Sequence, residues 1–269
     1  MSEAAVGTAP SLLESLEEGV LTLTMNRPDR LNALDPELGR ALASGVERAA
    51  ANPAVRVVVI TGTGRAFCAG GDLASIREHR DSGRSAELEP LLRNGAKLIL
   101  TLRTMEKPVI AAVNGHAAGA GMNVALGCDY RIASEQAMFG QNFAKVGLFP
   151  DFGGSFLLPR LVGQSRAAWM LYTGEMISAQ EALRIGAVDR VVAPDKVQVE
   201  AKAAGAMLAA APPLAVAAVK RVVFGSERAE LQRALDFEVE QQMRCFASAD
   251  CTEGVNAFFE KRAPKFKGK

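Results

Sequence analysis

Two glycine-rich segments place backbone N–H groups where they could bind a negatively charged oxygen. The first, residues 65–73 (RAFCAGGDL), follows a predicted buried strand and precedes a predicted helix. Gly70 and Gly71 let a ligand approach the main chain, and Asp72 is suited to cap the helix. Because a helix N-terminus presents unpaired N–H groups and a partial positive charge, it stabilises a developing oxyanion. A plain glycine turn is the alternative interpretation.

A second segment with the same context, residues 114–123 (NGHAAGAGMN), follows the next predicted strand. Helix N-termini at adjacent turns of a parallel sheet can direct separate N–H donors at one carbonyl oxygen. Neither segment matches the dinucleotide fingerprint G-x-G-x-x-G, and the chain contains no P-loop. Together the two segments therefore predict an oxyanion hole for a carbonyl group.

These segments need alternating strands and helices to position them, and the hydrophobic periodicity predicts such elements. Strands are predicted at residues 20–25, 56–60, 108–113 and 188–192, and helices at 88–105, 121–126, 196–211, 214–224 and 228–246, with a further helix from Asp35-Pro36 to Asn52-Pro53 and a short one from Ser178 to Gly186. The charged stretch 75–87 (SIREHRDSGRSAE) predicts a mobile loop or short helix that could cover a site. We therefore expect a disordered tail at 1–10, a core at 11–199 and a C-terminal helical region at 200–269.

Composition argues against several classes of function. The net charge of +1 gives no reason to expect nucleic acid or an anionic membrane surface as a partner. The longest uncharged stretch, residues 108–128, contains four glycines and polar residues, so a strand, a turn and a helix fit it better than a membrane span. The four cysteines show no CxxC pairing and no histidines at metal-ligand spacing, which is typical of reduced cysteines in a cytoplasmic protein without a metal site.

The motifs along the chain resemble those of the crotonase, or enoyl-CoA hydratase/isomerase, superfamily. They are NRPDRLNAL, RAFCAGGDL, KPVIAAVNGHAAGAG, KVGLFPDFGGSFLLPRLVG, SAQEALRIGAVDRVV and EGVNAFFEKRAPKFKGK, and they span nearly the whole chain. The resemblance implies an α/β fold, a crotonase-like spiral of ββα turns with a C-terminal α-helical trimerisation region. It also implies an acyl-CoA thioester as substrate, with no cofactor beyond the CoA that the substrate carries.

By the same resemblance, the backbone N–H groups of Gly71 and Ala120 would hold the thioester enolate. Many relatives have glycine at the position of Ala120, but a backbone donor survives that change. The residues implied to contact CoA are Arg30, Leu31, Ala69, Asp72 and Leu73, and Phe258 and Lys261 would reach the CoA of a neighbouring subunit in a homotrimer or homohexamer. Without the resemblance, Lys261 would be interpreted as a solvated charge in a basic tail.

Two departures from the family's hydratases bear on the reaction. Hydration of an enoyl thioester in this family uses two glutamates as general base and acid. The matching positions hold Asn123 and Phe143, and neither side chain exchanges a proton near neutral pH. Phe143 would make that part of the acyl pocket apolar. Asn123 either positions a water or a polar acyl group, or is an ordinary buried asparagine.

An acidic residue, Asp151, stands in KVGLFPDFGG where hydratases of the family usually have glycine. Some isomerases of the family carry their catalytic aspartate here, and the segment looks most like relatives that isomerise 1,2-epoxyphenylacetyl-CoA in phenylacetate degradation. Desolvation by Phe149 and Phe152 would raise the pKa of Asp151 and suit a base that shuttles one proton. The resemblance thus implies a double-bond or epoxide/oxepin isomerase. The alternative role for Asp151 is to cap the helix that begins at Gly153.

Three other functions stay open on the sequence. An enoyl-CoA hydratase would work with Asp151 and Asn123 in place of the usual glutamates. A serine hydrolase would use Ser155, although GGSFL is not G-x-S-x-G and no histidine lies nearby in the sequence. A non-catalytic CoA- or RNA-binding relative is the third, and the net charge of +1 argues against RNA.

Overall fold

Ten strands and eleven α-helices make up residues 9–269, the part of the chain that the computed structural model describes. The strands are β1 (Leu12–Glu17), β2 (Val20–Met25), β3 (Val57–Gly62), β4 (Ala66–Cys68), β5 (Val109–Val113), β6 (His116–Ala118), β7 (Tyr130–Ser134), β8 (Met138–Gly140), β9 (Met176–Ser178) and β10 (Arg190–Val192). The helices are α1 (Pro36–Ala51), α2 (Leu73–Asp81), α3 (Glu89–Thr104), α4 (Ala120–Gly127), α5 (Gly154–Val162), α6 (Gln164–Thr173), α7 (Ala179–Arg184), α8 (Val197–Ala209), α9 (Pro213–Phe224), α10 (Arg228–Phe246) and α11 (Ala249–Phe259). Of the tail predicted at 1–10, residues 1–8 lie outside the described residues.

Successive strands alternate between two sheets. β3, β5 and β7 lie side by side in a six-stranded sheet of order β1-β2-β3-β5-β7-β10, and β4, β6 and β8 lie side by side in a four-stranded sheet that ends at β9. All pairs are parallel except β1 with β2 and β8 with β9. Each turn of the chain thus adds one strand to each sheet and then a helix, which confirms the spiral of ββα turns that the resemblance implied.

Local sequence signals set both ends of α1. The Asp35 carboxylate accepts a hydrogen bond from the Leu38 N–H at 2.8 Å, and Pro36 stands at the first helical position, where a missing N–H costs nothing. The helix ends at Asn52, before Pro53. The helix predicted from Asp35-Pro36 to Asn52-Pro53 is therefore confirmed at both ends.

Each glycine-rich segment contains a short strand that the periodicity did not predict. β4 and β6 have three residues each, which is too short for an alternating pattern to be recognised, and they pair in parallel. This pairing brings the two segments side by side. The uncharged stretch 108–128 accordingly forms β5, β6 and α4, which confirms the prediction of strand, turn and helix.

The charged stretch 75–87 forms most of α2 and the start of a 3₁₀ turn at Ser85–Leu88, so the short-helix alternative describes it correctly. Asp72 accepts from the N–H groups of Ala74 and Ser75, as expected of an N-cap. Only Ile76 of α2 is buried. α2 is therefore a mainly polar cover on the spiral.

The C-terminal helices pack against the spiral of their own chain. Val197 and Ala201 of α8 contact the six-stranded sheet at Val57, Ile110 and Ile132. α10 runs alongside α3. The boundary at residue 200 falls inside α8, and the division of the chain there stays a prediction.

In residues 9–269 no single helix has the length and apolar character needed to cross a membrane. One bent pair, Pro194–Ala209 with Pro213–Phe246 at 109°, passes on length and composition alone.

Candidate active site

The first glycine-rich segment leaves one backbone donor unused. Leu34 pairs with the residues on either side of Gly71, since its N–H donates to the Gly70 oxygen at 2.7 Å and its oxygen accepts from the Asp72 N–H at 2.9 Å. In extended chain, alternate residues direct their polar groups to opposite sides, so the Gly71 N–H faces away from Leu34. Within residues 9–269 it donates to no acceptor. It is therefore available to a ligand.

The second segment presents its donor at the start of a helix. The Gly119 N–H donates to the Gly140 oxygen at 2.8 Å, and α4 begins with the next residue, Ala120. As the first helical residue, Ala120 has no intrahelical acceptor for its N–H, and it finds no other among the described residues. Ala120 is itself 2% exposed, so this donor acts in a poorly solvated place.

Close backbone packing holds the two donors together. A Cβ added at Gly70 would lie 2.9 Å from the Ala118 oxygen and 3.6 Å from the Ala120 nitrogen. A Cβ added at Gly121 would lie 2.2 Å from the Cys68 oxygen. Only glycine permits such approach, so these two glycines set the spacing between the donors. Two main-chain N–H groups without acceptors thus belong to segments that are in direct backbone contact.

The carboxylate of Asp151 is buried. It is 8% exposed, its Oδ2 accepts from the Gln242 side chain at 3.0 Å, and its Oδ1 has no partner among the described residues. Burial raises the pKa of Asp151 to about 7, and the charge of Glu238 acts in the same direction against the hydrogen bond from Gln242. A carboxylate with this pKa can both accept and return a proton near neutral pH.

Capping is not the role of Asp151. α5 begins at Gly154 with Gly153 as its N-cap, and the side chain that accepts from the Gly153 and Ser155 N–H groups is Glu238 of α10. Asp151 contributes only its main-chain oxygen, which accepts from the Gly154 N–H at 3.0 Å. The capping alternative is therefore wrong, because the carboxylate points to Gln242 instead.

Asn123 links α4 to the loop that carries Asp151. Its Nδ2 donates to the Asp151 main-chain oxygen at 2.7 Å, and its Oδ1 accepts from the Gln141 side chain at 2.6 Å. Asn123 is fully buried, one helical turn after Ala120. Of the two interpretations of Asn123, the structure thus favours a buried asparagine that fixes neighbouring groups over one that binds water or substrate.

Phe143 lies close to Gly119, the residue before the second donor. It is buried, in a 3₁₀ turn at Asn142–Val146, and a Cβ added at Gly119 would lie 3.5 Å from its ring. An apolar ring thus stands next to the start of α4. It supplies no acid or base at this position.

Four of the five residues implied to bind CoA within the chain lie together. The Ala69 N–H donates to the Leu31 oxygen at 3.0 Å, and Asp72 and Leu73 follow at the start of α2. Arg27, which the sequence analysis did not single out, joins these segments through ion pairs with Asp35 at 3.0 Å and Asp72 at 3.1 Å.

Arg30, the fifth of these residues, is exposed at the end of a short 3₁₀ turn, Pro28–Arg30. The structure places Phe258 and Lys261 at the end of α11, both exposed to solvent. Next to them, Phe259 stacks under the Arg77 guanidinium of α2 at 3.9 Å. These positions leave the three side chains accessible to a ligand or a neighbouring subunit.

Two functional residues on α10 were missed by the sequence analysis. Glu238 and Gln242 are buried and bind the loop that carries Asp151. The available signal was the placement of two polar residues, four apart, in the apolar stripe of a predicted helix. No group of three or more potential metal ligands occurs in residues 9–269.

Comparison with known proteins identifies the family. The family model described as enoyl-CoA hydratase/isomerase matches residues 15–269. The chain is 40% identical over 265 residues to 1,2-epoxyphenylacetyl-CoA isomerase of Escherichia coli, covering 96% of this chain and 98% of that protein. It is 39% identical over 251 residues to crotonyl-CoA hydratase of Syntrophomonas wolfei, covering 93% and 95%.

Among solved structures, an enoyl-CoA hydratase from Mycobacterium avium subsp. paratuberculosis superposes with a TM-score of 0.87 and 35% identity. The match covers 97% of this chain and all of that one. The chain belongs to the enoyl-CoA hydratase/isomerase family and is an enzyme of that family. Its resemblance to the crotonase superfamily is thus confirmed, and the serine-hydrolase and non-catalytic alternatives are not supported.

Proposed function

We propose that this enzyme is an acyl-CoA isomerase that moves one proton between two carbons of the acyl chain, or an isomerase of a related epoxide or oxepin. The observation that carries the proposal is the buried Asp151 carboxylate with one unpartnered oxygen, in a loop whose main chain is hydrogen-bonded to Asn123 of α4, the helix that begins with the free Ala120 N–H. A relative of 40% identity is a 1,2-epoxyphenylacetyl-CoA isomerase, which agrees with this assignment.

In the proposed reaction, Asp151 takes an acidic proton from the acyl chain and the electron pair moves into the thioester carbonyl. The N–H groups of Gly71 and Ala120 bind the resulting enolate oxygen. Asp151 then returns the same proton two carbons away, so that one double bond is lost and another is formed. Removal of one oxyanion donor from an enzyme costs roughly 3 to 4 kcal/mol, so two donors supply a large part of the acceleration.

The shortage of a second proton-transferring group favours isomerisation over hydration. Addition of water needs one group to activate the water and another to protonate the α-carbon. The polar atoms of Asn123 are both bonded to protein groups, and Phe143 has none. The oxygens of Glu238, the other buried carboxylate nearby, accept from three protein donors.

We also propose that CoA is bound at Arg30, Leu31, Ala69, Asp72 and Leu73, and that no other cofactor takes part. In support of this proposal, Ala69 is hydrogen-bonded to Leu31 through the main chain, and Asp72 and Leu73 follow at the start of α2. The predicted cytoplasmic location, and the predicted absence of nucleic acid and membrane partners, stay predictions.

A homotrimer or homohexamer is the proposed assembly, with 11–199 as catalytic core and 200–269 as the region of subunit contact. An apolar groove of about 800 Å³ lies between α8, α9 and the six-stranded sheet. Its rim includes Met207 and Val219, which are 70% and 62% exposed. Exposed apolar surface of this kind is typical of subunit interfaces. Phe258 and Lys261 would then reach the CoA of a neighbouring subunit.

The test is to incubate the protein with a 3-enoyl-CoA and with crotonyl-CoA in deuterium oxide and to follow both by mass spectrometry. We expect double-bond migration or deuterium exchange at the α and γ carbons, and loss of both in Asp151→Asn. Asp195→Asn changes an exposed aspartate on the surface and should leave them unaltered. Gain of water by crotonyl-CoA that survives Asp151→Asn would instead identify a hydratase.

A further inference from the structure

Two buried polar side chains of α10 contact the loop that carries Asp151. Glu238 and Gln242 lie four residues apart and occupy the same helix face as the core residues Leu231, Leu235, Val239 and Phe246. A polar side chain in such a stripe costs stability unless it is hydrogen-bonded. Both of these are bonded, and all their partners lie in residues 149–155.

Gln242 can have only one orientation of its amide group. The Phe149 N–H, which can only donate, lies 3.0 Å from Oε1. The Nε2 group must then face the other way, where it meets Asp151 Oδ2 at 3.0 Å. The main chain of the loop therefore fixes the donor that binds the carboxylate.

Glu238 fixes the other end of the same loop. Its two oxygens accept from the Gly153 N–H at 2.7 Å, the Ser155 N–H at 3.0 Å and the Ser155 hydroxyl at 2.6 Å. Between these anchors, Phe152 has φ of 50°, a left-handed conformation that is rare for a side chain of this size. The ring of Phe152 fills the space that Gly95 of α3 leaves, where a Cβ would lie 2.2 Å away.

As a result, the two oxygens of Asp151 differ. Oδ2 is bound by Gln242, whereas Oδ1 is buried without a partner. We propose that Gln242 is a positioning residue that, by binding Oδ2, selects Oδ1 of Asp151 as the atom that takes and returns the proton. This inference rests on the proposed isomerase function and assigns to α10 a part in the chemistry.

The hydrogen bond from Gln242 also has a predictable electrostatic effect. A donor stabilises the ionised carboxylate, so it lowers the pKa that burial raises to about 7. Glu238, also on α10, raises that pKa when it is charged, and burial raises the pKa of Glu238 itself to about 7, so the two carboxyls titrate in the same range. From α3 and α4 the loop meets Gly95 and Asn123, which carry no charge.

The experiment compares Gln242→Met with wild type in the pH dependence of kcat/KM for isomerisation. Loss of the donor should raise the pKa of Asp151 by roughly one unit, so the acid limb moves to higher pH by that amount. Above the limb the rate should return close to that of wild type. Gln241→Met, a neighbouring change at a side chain that is hydrogen-bonded to Glu240 and Arg244, should leave the profile unmoved.

A profile that is lower at every pH, with the limb unmoved, would overturn the proposal, because it would show only a structural role for Gln242. If Gln242→Met does not fold, Gln242→Glu decides, since it keeps the shape and adds a negative charge beside Asp151. The acid limb of kcat/KM should again move to higher pH, and an unmoved limb would contradict the proposal.

Titration of the Asp151 carboxyl by carbon-13 NMR distinguishes a failure of the proposed function from a failure of the role proposed for Gln242. If wild type shows no isomerisation or proton exchange, the proposed function fails, whatever the titration gives. If wild type isomerises but neither the limb nor the carboxyl pKa moves in Gln242→Met, only the role of Gln242 fails. An equal upward shift in both measurements supports it.

Discussion

The raised pKa of Asp151 suits the proposed proton transfer, but the burial that raises it also lowers the stability of the folded protein. Burial raises its pKa from 3.8 to about 7, so the folded protein holds the proton more tightly than the unfolded chain does. Stability is therefore greatest at acid pH with respect to this group, and it falls as the pH rises towards 7. The full loss, reached above that pH, is about 4 kcal/mol.

Asp151→Asn should consequently lower activity and raise stability. We expect a loss of roughly 10² to 10⁴ in kcat, as for removal of a general base. The melting temperature should rise, and more at pH 8 than at pH 5, because asparagine carries no charge to bury. Thermal unfolding followed by circular dichroism at both pH values checks this prediction, with Asp195→Asn as the exposed control. A lower melting temperature at pH 8 would contradict it.

At the scale of elements, the pairing of β4 with β6 and the start of α4 set the distance between the two oxyanion donors. Gly121→Ala would place a Cβ 2.2 Å from the Cys68 oxygen and force α4 away from β4. We expect kcat to fall by up to roughly 10²- to 10³-fold, the cost of one oxyanion donor, with a smaller effect on KM. Steady-state kinetics with a 3-enoyl-CoA measure both.

A matched control lies at the other end of α4. Gly127→Ala adds a methyl group that meets only the flexible side-chain ends of Ile99 and Leu102. It should leave kcat near that of wild type. If the two variants lose activity equally, the donors are not positioned by the contact between Gly121 and Cys68.

Elements with strong local signals could be predicted from the sequence. Asp35 and Pro36 mark the start of α1, and the glycine-rich segments indicate backbone donors, which the resemblance to the family assigns to Gly71 and Ala120. The partners of Asp151 could not be predicted from the sequence, because Gln242 is 91 residues away and only the packing of α10 brings it close. β4 and β6 were missed for a related reason, since they are strands by virtue of pairing with each other.

At the scale of the whole molecule, the groove beside α8 and α9 predicts association. Val219→Glu would place a charge in this apolar surface, where a subunit contact would have to bury it. We expect it to dissociate the assembly, as measured by light scattering after gel filtration, while the circular dichroism spectrum stays unchanged. Leu16→Glu, on an exposed position of β1, is the control. A protein that is monomeric before any change would refute the predicted assembly.

Contacts between the Asp151 loop and α10 have a consequence for the protein during its synthesis. Gly71 and Ala120, the proposed oxyanion donors, precede residue 121, and Asp151 follows soon after, but Gln242 and Glu238 leave the ribosome some 90 residues later. Until α10 docks, the carboxylate lacks the anchors that orient it. A growing chain can thus complete the strands of its spiral before the loop that carries Asp151 has its anchors.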